Sequence, residues 1–89
     1  MQISFHENAW EDYLWWQQNS TEKQQQLLKR LNLLIKDIER DPHAGIGKPE
    51  ALKHDLQGFW SRRVSDEHRV VYQVDSDTIY IAQCRGHYG

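Results

Sequence analysis

The chain ends on CRGHYG, a segment that carries groups able to move or hold protons. The imidazole of His87 titrates near neutral pH without help from its surroundings. The phenol of Tyr88 can donate to a phosphate or stack on a nucleobase. Composition alone favours a solvated tail. A strand-like stretch ends just before this segment, however, so the sheet still positions His87, and we expect it to act as a general acid.

A carboxylate that could accept a proton lies in the middle of the chain, in the stretch GKPEALKH. Lys48 and Lys53 flank Glu50, and His54 follows. Positive neighbours keep a carboxylate ionised, which leaves it able to take a proton. The plainer interpretation is a surface glutamate whose ion pairs contribute little.

Three arginines follow on strand-like segments: Arg62, Arg63 and Arg69. A planar guanidinium can bond two phosphate oxygens at once, which suits it to hold a phosphate. The alternative is a solvated place on the sheet surface, and this is the favoured interpretation for Arg62 alone.

A glutamate, an arginine and a histidine around one concave surface meet the demands of RNA cleavage without a metal. A base takes the proton of the 2′-hydroxyl, a cation holds the phosphate as charge develops, and an acid protonates the leaving 5′-oxygen. Glu50, Arg69 and His87 are the candidates for these roles. Each proton-transfer partner would contribute about 10²–10⁴ in rate.

A zinc site is a weaker alternative. Cys84 and His87 have half of a zinc-binding spacing, and His54 or His68 could complete the set. Structural zinc sites usually show clearer paired spacing, so we expect no metal. The sequence also lacks a serine-nucleophile motif, a P-loop and a dinucleotide-binding glycine pattern, and no cofactor is expected.

The elements that must position these groups begin with one strand and one helix. QISF alternates and is β-prone, which predicts a short strand. In HENAWEDYLWWQQN, Trp10, Tyr13 and Leu14 recur at helical spacing, so we expect this stripe to face the core. Trp15 or Trp16 would widen the stripe.

A second helix follows, after a cap at Ser20 or Thr21. Its apolar stripe repeats every 3.6 residues and leaves Leu33 at the edge. Asp41 precedes a proline, which disfavours α geometry in the residue before it and ends the helix. The stripe consists of Leu27, Leu28, Leu31, Leu34, Ile35 and Ile38.

The second half of the sequence predicts a loop followed by three strands. Residues 41–58 hold two prolines and three glycines, which indicates a loop with one short helical turn at most. FWSRRV, HRVVYQV and TIYIAQC are strand-like, and turn-prone residues join them. The order β-α-α-β-β-β predicts an α+β fold, with two helices packed on one face of a small, mainly antiparallel sheet.

Alternation within the strands predicts which side chains leave the core. Arg63 and Arg69 share the uncovered face, provided that the turn between their strands has an odd length. The residues expected on the core face are Trp60, Val64, Val70, Tyr72 and Val74, which turns Phe59, Ser61, Val71 and Gln73 outward. The last strand leaves two sets open for the core side: Ile79 and Ile81, or Tyr80, Ala82 and Cys84.

Length and charge limit the function classes. Eighty-nine residues indicate a single domain over 1–89, and apolar and charged fractions of 38% and 27% are typical of a globular chain. No apolar run could span a bilayer, no signal peptide is visible, and the lone cysteine favours a cytoplasmic location. A net charge of −2 argues against coating nucleic acid by bulk charge, so a polyanion site needs its bases gathered on one face.

Motifs along the chain resemble one family. GKPEALKH, GFWSRR, EHRVVY and CRGHY, in this order and at this spacing, are similar to those of the YoeB/Txe toxins. These are messenger-RNA interferases of bacterial toxin–antitoxin modules, within the RelE/ParE superfamily. WEDYLWWQ and LIKDIERDP resemble the family as well, so the likeness spans almost the whole chain.

The resemblance implies a RelE-like ribonuclease that enters the ribosomal A site and cuts the message there. It assigns the general base to Glu50, the general acid to His87 and phosphate stabilisation to Arg69. Tyr88 matches the family's C-terminal tyrosine, although here Gly89 follows it. The basic positions that would face RNA are Lys48, Lys53 and Arg63.

The resemblance also implies partners: a YefM/Axe-like antitoxin that blocks the toxin, the ribosome with its messenger RNA, and a second copy in a homodimer. Two other functions stay open. A non-catalytic toxin of the same fold would act on another target such as DNA gyrase, and a plain binding module would only sequester a partner.

Overall fold

The computed structural model describes residues 1–18 and 21–86. Its elements follow the predicted order, with one addition, a two-residue strand inside the expected loop. The elements are β1 (Gln2–Phe5), α1 (Glu7–Gln18), α2 (Glu22–Arg40), β2 (Glu50–Ala51), a 3₁₀ turn (His54–Leu56), β3 (Trp60–Arg63), β4 (Arg69–Asp75) and β5 (Thr78–Gln83).

The strands form one sheet in the order β1-β5-β4-β3-β2. The pairs β2–β3, β3–β4 and β4–β5 are antiparallel, and β1 runs parallel to β5. Both helices bury their apolar sides against one face of this sheet, in a cluster that joins Leu31 and Ile38 to Val70, Tyr72 and Ile81. The predicted α+β fold is confirmed.

Helix α2 follows its sequence pattern closely. The Thr21 side chain caps the first turn by accepting from the backbone N–H of Gln24 at 3.3 Å. The predicted stripe is buried or packs against the core, whereas Leu33 is 60% exposed. The helix ends at Arg40, before Asp41 and the following proline, as expected.

The expected core face of α1 is wrong for Trp10 and Leu14 but right for Tyr13, which packs against the core, and for Trp16. Trp10 and Leu14 are 48% and 38% exposed, whereas Ala9 and Trp16 are fully buried. Aromatic residues lie on several sides of this helix, so the apolar pattern fits more than one rotation. Trp16 decides between them, because its buried Nε1–H donates to the carbonyl of Cys84 at 2.9 Å.

A bulge in β5 determines which side chains of the last strand face the core. Val71 pairs with Gln83, but its neighbour Tyr72 pairs with Ile81, which leaves Ala82 as an extra residue. The extra residue reverses the alternation. Ile79 and Ile81 therefore reach the core before the bulge, and Cys84 reaches it afterwards.

The solvated position favoured for Arg62 is also wrong, because its side chain is 0% exposed. Arg62 alternates with Trp60 and Val64, so it points to the helix side of the sheet. There it donates to the Asp37 carboxylate at 2.6 Å and to the Tyr72 hydroxyl at 3.2 Å. It also donates to three loop carbonyls, those of Asp41, Ala44 and Ile46.

This buried network explains how a charge is tolerated in the core, because a buried cation needs a counter-charge and satisfied donors. Hydrogen bonds from Arg40 and then Arg62 hold the pKa of the Asp37 carboxyl well below its usual range. No helix within residues 1–18 and 21–86 combines the length and apolarity needed to cross a membrane.

Candidate functional site

The strand register places three of the predicted charges on one face. Glu50 lies opposite Ser61, and Arg63 lies opposite Arg69. Directly paired residues of antiparallel strands point to the same side. Since Ser61 and Arg63 are two positions apart on one strand, all of these side chains leave the sheet away from the helices.

We call this side of the sheet the open face, defined by Glu50, Ser61, Arg63, Arg69 and Val71. The turn between β3 and β4 has the odd length that the shared face requires, since five residues, 64–68, separate the two strands. Ser61 and Val71 point outward but are buried. The accessible part of the open face therefore consists of its longer charged side chains.

Glu50 and Arg69 lie two strands and two residues apart. Standard strand spacings put their backbones about 10 Å apart across the sheet and about 7 Å along it. A glutamate and an arginine that extend from these positions can approach one phosphodiester group from two sides. Glu50 is exposed, so its carboxylate is accessible to a substrate.

Two strained residues bracket Glu50. Lys48 and His54 have positive φ values of 53° and 58°, in the left-handed region that costs a non-glycine residue about 1–3 kcal/mol. Arg63 N–H donates to the carbonyl of Gly47 at 2.6 Å, and Leu52 N–H to that of Phe59 at 2.9 Å. These bonds hold the segment around Glu50 against β3.

A shallow cavity of about 420 Å³ adjoins Glu50. It brings Lys53 and His54 beside the candidate base, and its lining residues are Glu50, Ala51, Leu52, Lys53, His54, Asp55 and Leu56. Two of the basic neighbours predicted for Glu50, Lys53 and His54, therefore share one surface concavity with it.

The two open-face arginines differ in how firmly they are held. Arg69 is half-buried, and its guanidinium donates to the carbonyl of Ser65 at 2.9 Å. The Arg63 side chain is 43% exposed, and its nearest carboxylate is that of Asp66 at 3.9 Å. Arg69 is thus oriented by the turn, whereas Arg63 keeps freedom to meet a ligand.

His87 and Tyr88, the predicted acid and its neighbour, lie outside the described residues. The residue before them is well placed: Gly86 accepts from the backbone N–H of Arg69 at 2.9 Å and donates to Nδ1 of His68 at 2.9 Å. The segment Cys84–Gly86, which we call the stem, therefore leads the chain past Arg69 before His87 begins.

Cys84 is a poor candidate for a metal ligand. Its thiol is buried and contacts the carbonyl of Ala9 at 3.5 Å, and burial raises its pKa to about 12. A metal takes the thiolate rather than the thiol. Across 1–18 and 21–86, histidine, cysteine and acidic side chains form no group of three that could hold a metal ion.

Comparison with known proteins identifies the family. Residues 5–88 match the family model of the YoeB-like toxin of bacterial type II toxin–antitoxin systems. The chain belongs to the YoeB toxin family. It is 56% identical over 88 residues to toxin YoeB of Synechocystis, covering 99% of this chain and 98% of the relative.

Solved structures agree with this assignment. A YoeB/ParE toxin from Agrobacterium tumefaciens superposes with a TM-score of 0.90 at 40% identity, covering 99% of this chain and 100% of that one. A YoeB toxin from Staphylococcus aureus, solved in a heterotetrameric YoeB–YefM complex, gives 0.86 at 46% identity, covering 99% and 98%. The expected RelE-like fold is confirmed, and the protein is a toxin of a type II toxin–antitoxin system.

The sequence pattern missed two parts of this YoeB-family toxin. The buried pair of Arg62 and Asp37 went unrecognised, although the alternation of Arg62 with Trp60 and Val64 was a usable signal. The contact between His68 and Gly86 had no local signal, because the two residues are 18 positions apart.

Proposed function

We propose that this toxin is a ribosome-dependent endoribonuclease that cuts messenger RNA in the A site without a metal ion. The observation that carries the proposal is the open face. It presents an accessible carboxylate, Glu50, together with Arg63 and Arg69, at the place where the stem leads into His87.

The proposed reaction is an internal transfer of the phosphate. The Glu50 carboxylate takes the proton of the 2′-hydroxyl, and the freed oxygen attacks the adjacent phosphorus. The bond from phosphorus to the 5′-oxygen breaks as His87 gives that oxygen a proton. The products are a 2′,3′-cyclic phosphate, which water can open to a 3′-phosphate, and a free 5′-hydroxyl.

Cations stabilise the charge that gathers on the phosphate as the reaction proceeds. Arg69 fits this role because the turn fixes its guanidinium, so little reorientation is needed. Tyr88 supplies a further donor. Lys48, Lys53 and Arg63 bind the flanking RNA, so the contacts to RNA are basic although the net charge of the chain is −2.

The same proposal covers partners and location. The Staphylococcus aureus relative has been solved both as a YoeB dimer and in complex with YefM. We infer that this toxin likewise forms a homodimer, is blocked by a YefM-like antitoxin, and works in the cytoplasm, where ribosomes are. Residues 1–89 act as one toxin domain.

Primer extension on ribosome-bound message tests the nuclease. The wild-type toxin and Glu11→Gln, a control on an exposed residue of α1, should give the same cut in the A site. Glu50→Gln and His87→Gln should each lose about 10²–10⁴ of the rate. A 2′-deoxy sugar at the cut should block cleavage.

Full cleavage by both Glu50→Gln and His87→Gln would overturn the proposal. Growth arrest that survives in the double variant without message cleavage would instead favour a non-catalytic toxin with another target.

A further inference from the structure

The stem is held on one side by α1. The backbone N–H of Cys84 donates to the Asp12 carboxylate at 3.2 Å, and the Cys84 carbonyl accepts from Trp16 Nε1 at 2.9 Å. Both backbone polar groups of Cys84 are thus bound by side chains of one helix. Arg85 adds an ion pair to Asp12 at 3.6 Å and lies over the Trp15 ring, 4.5 Å from its centroid.

On its other side, the stem is held by the residues just before β4 and at its start. Gly86 donates its N–H to His68 Nδ1 at 2.9 Å, and its carbonyl accepts from the Arg69 backbone. An imidazole nitrogen accepts a hydrogen bond only when it carries no proton. The contact from Gly86 therefore requires the neutral tautomer of His68, with its proton on Nε2.

The surroundings of His68 favour that neutral form. The Trp16 ring packs edge-on against the imidazole, with ring centroids 4.8 Å apart. Burial, followed by the nearby charges of Arg85 and Lys23, lowers the pKa of His68, and only Glu67 acts in the opposite direction.

His68 nevertheless stays in contact with solvent. It lines a cavity of about 250 Å³, open enough for a proton to arrive. The other lining residues are Lys23, Gln24, Leu27, Ser65, Asp66 and Glu67, so two further carboxylates and one ammonium group lie around it. Asp12 faces the stem from α1, on the far side of Cys84.

We propose that His68 is a positioning residue for the reaction: its neutral imidazole holds Gly86, and so fixes the stem from which the chain continues into His87. Asp12 and Trp16 form the permanent side of this clamp. Protonation of His68 breaks the hydrogen bond that Gly86 donates to it, so acidification loosens the stem and lowers turnover. The effect on turnover rests on the proposed nuclease function, whereas the clamp itself does not.

The expected size follows from geometry. A displacement of about 1 Å in a reacting group can cost about 100-fold in rate, even when substrate binding is intact. Loss of the hydrogen bond between His68 and Gly86 removes no side chain of the open face. We therefore expect kcat to fall by about 10–100-fold while KM changes little.

Two substitutions separate the hydrogen bond from the bulk of the ring. His68→Asn keeps an acceptor oxygen near the position of Nδ1 and cannot be protonated, whereas His68→Leu fills similar space without an acceptor. On ribosomes at neutral pH, the leucine variant should lose about 10–100-fold in kcat. The asparagine variant should stay near wild type and should lack the part of the wild-type fall in rate that protonation of His68 causes below pH 6.5.

A readout without ribosomes keeps the two proposals apart. The hydrogen-exchange protection of the Gly86 amide, measured by NMR on the full chain, should fall in His68→Leu, and in the wild type as pH drops. It should persist in His68→Asn. Gly86 protection that changes neither with pH nor with substitution would overturn the clamp. The wild-type titration tests the clamp even where a variant folds poorly, because it needs no variant.

Equal cleavage rates for the leucine and asparagine variants, with Gly86 protection intact only in the latter, would overturn the positioning role. A wild-type toxin that leaves ribosome-bound message uncut would overturn the nuclease function instead, and Gly86 protection would still decide the clamp.

Discussion

Arg63 and Arg69 are direct partners across β3 and β4, so two guanidinium groups leave the sheet side by side on the open face. Like charges placed directly opposite each other destabilise a sheet. Each has only limited compensation: Arg63 has a distant carboxylate at 3.9 Å, and Arg69 has a backbone carbonyl at 2.9 Å. An anion between them would relieve the repulsion, and in the proposed function that anion is an RNA phosphate.

Removing one of the two charges should therefore stabilise the protein and weaken it as an RNA binder. We expect Arg63→Gln to raise the free energy of unfolding by about 0.2–1 kcal/mol. Denaturant unfolding would measure this change, and single-turnover cleavage over a toxin titration would show weaker binding. Lys29→Gln, at an exposed position of α2, removes a positive charge elsewhere and should change neither stability nor RNA binding. An unchanged or lower stability of Arg63→Gln would contradict the repulsion.

Arg69 should matter for the chemical step rather than for binding alone. Arg69→Gln removes the oriented cation and should lower the single-turnover rate on ribosomes by about 10²–10³. Arg69→Lys keeps a positive charge but loses the planar fork, so its rate should fall between those of the wild type and Arg69→Gln. A lysine variant no better than the glutamine variant would show that charge at this position is not what stabilises the phosphate.

Gly47 should prove essential for the loop that carries Glu50. Its φ is +80°, and a Cβ there would lie 2.6 Å from Leu34 Cδ2 and 3.1 Å from the Arg63 carbonyl. Gly58 also has a positive φ, +96°, but a Cβ would meet nothing closer than 3.7 Å. Backbone strain should lower the free energy of unfolding of both alanine variants by about 1 kcal/mol. Gly47→Ala should lose about 1–3 kcal/mol more, because the core must move aside.

Thermal and denaturant unfolding of the two glycine variants would measure that difference. Gly47→Ala should also cleave more slowly than Gly58→Ala, since Arg63 N–H bonds to the Gly47 carbonyl and the shift reaches Glu50, three residues later. Equal stabilities for the two variants would contradict the close approach.

The Asp37 carboxylate should make stability fall in acid. Its hydrogen bonds from Arg40 and Arg62 lower its pKa in the folded state, so the unfolded chain binds the proton more readily. This contribution is complete above the ordinary pKa of 3.8 and is lost as pH falls below that value. In Asp37→Asn this part of the acid dependence should vanish, and stability near neutral pH should be lower. Unfolding curves between pH 2 and pH 7 would test both expectations.

Several features of this toxin follow from sequence alone, for a local reason. The stripe of α2, the three C-terminal strands and the shared face of Arg63 and Arg69 depend on periodicities that covalent geometry imposes within one element or one short turn. The assignment of Glu50 to a group of bases is equally local, since Lys48 and Lys53 flank it within a few residues.

Other features were decided only when distant surfaces met. Helix α1 is apolar on several sides, and the distant carbonyl of Cys84 chose its rotation by accepting from Trp16. Arg62 is buried because Asp37, 25 residues earlier in the chain, meets it with an opposite charge. The bulge in β5 turned Cys84 inward, and His68 met Gly86 across the sheet. Periodicity sets which side chains of an element point together, but the partner surface that they find sets which of those sides is buried.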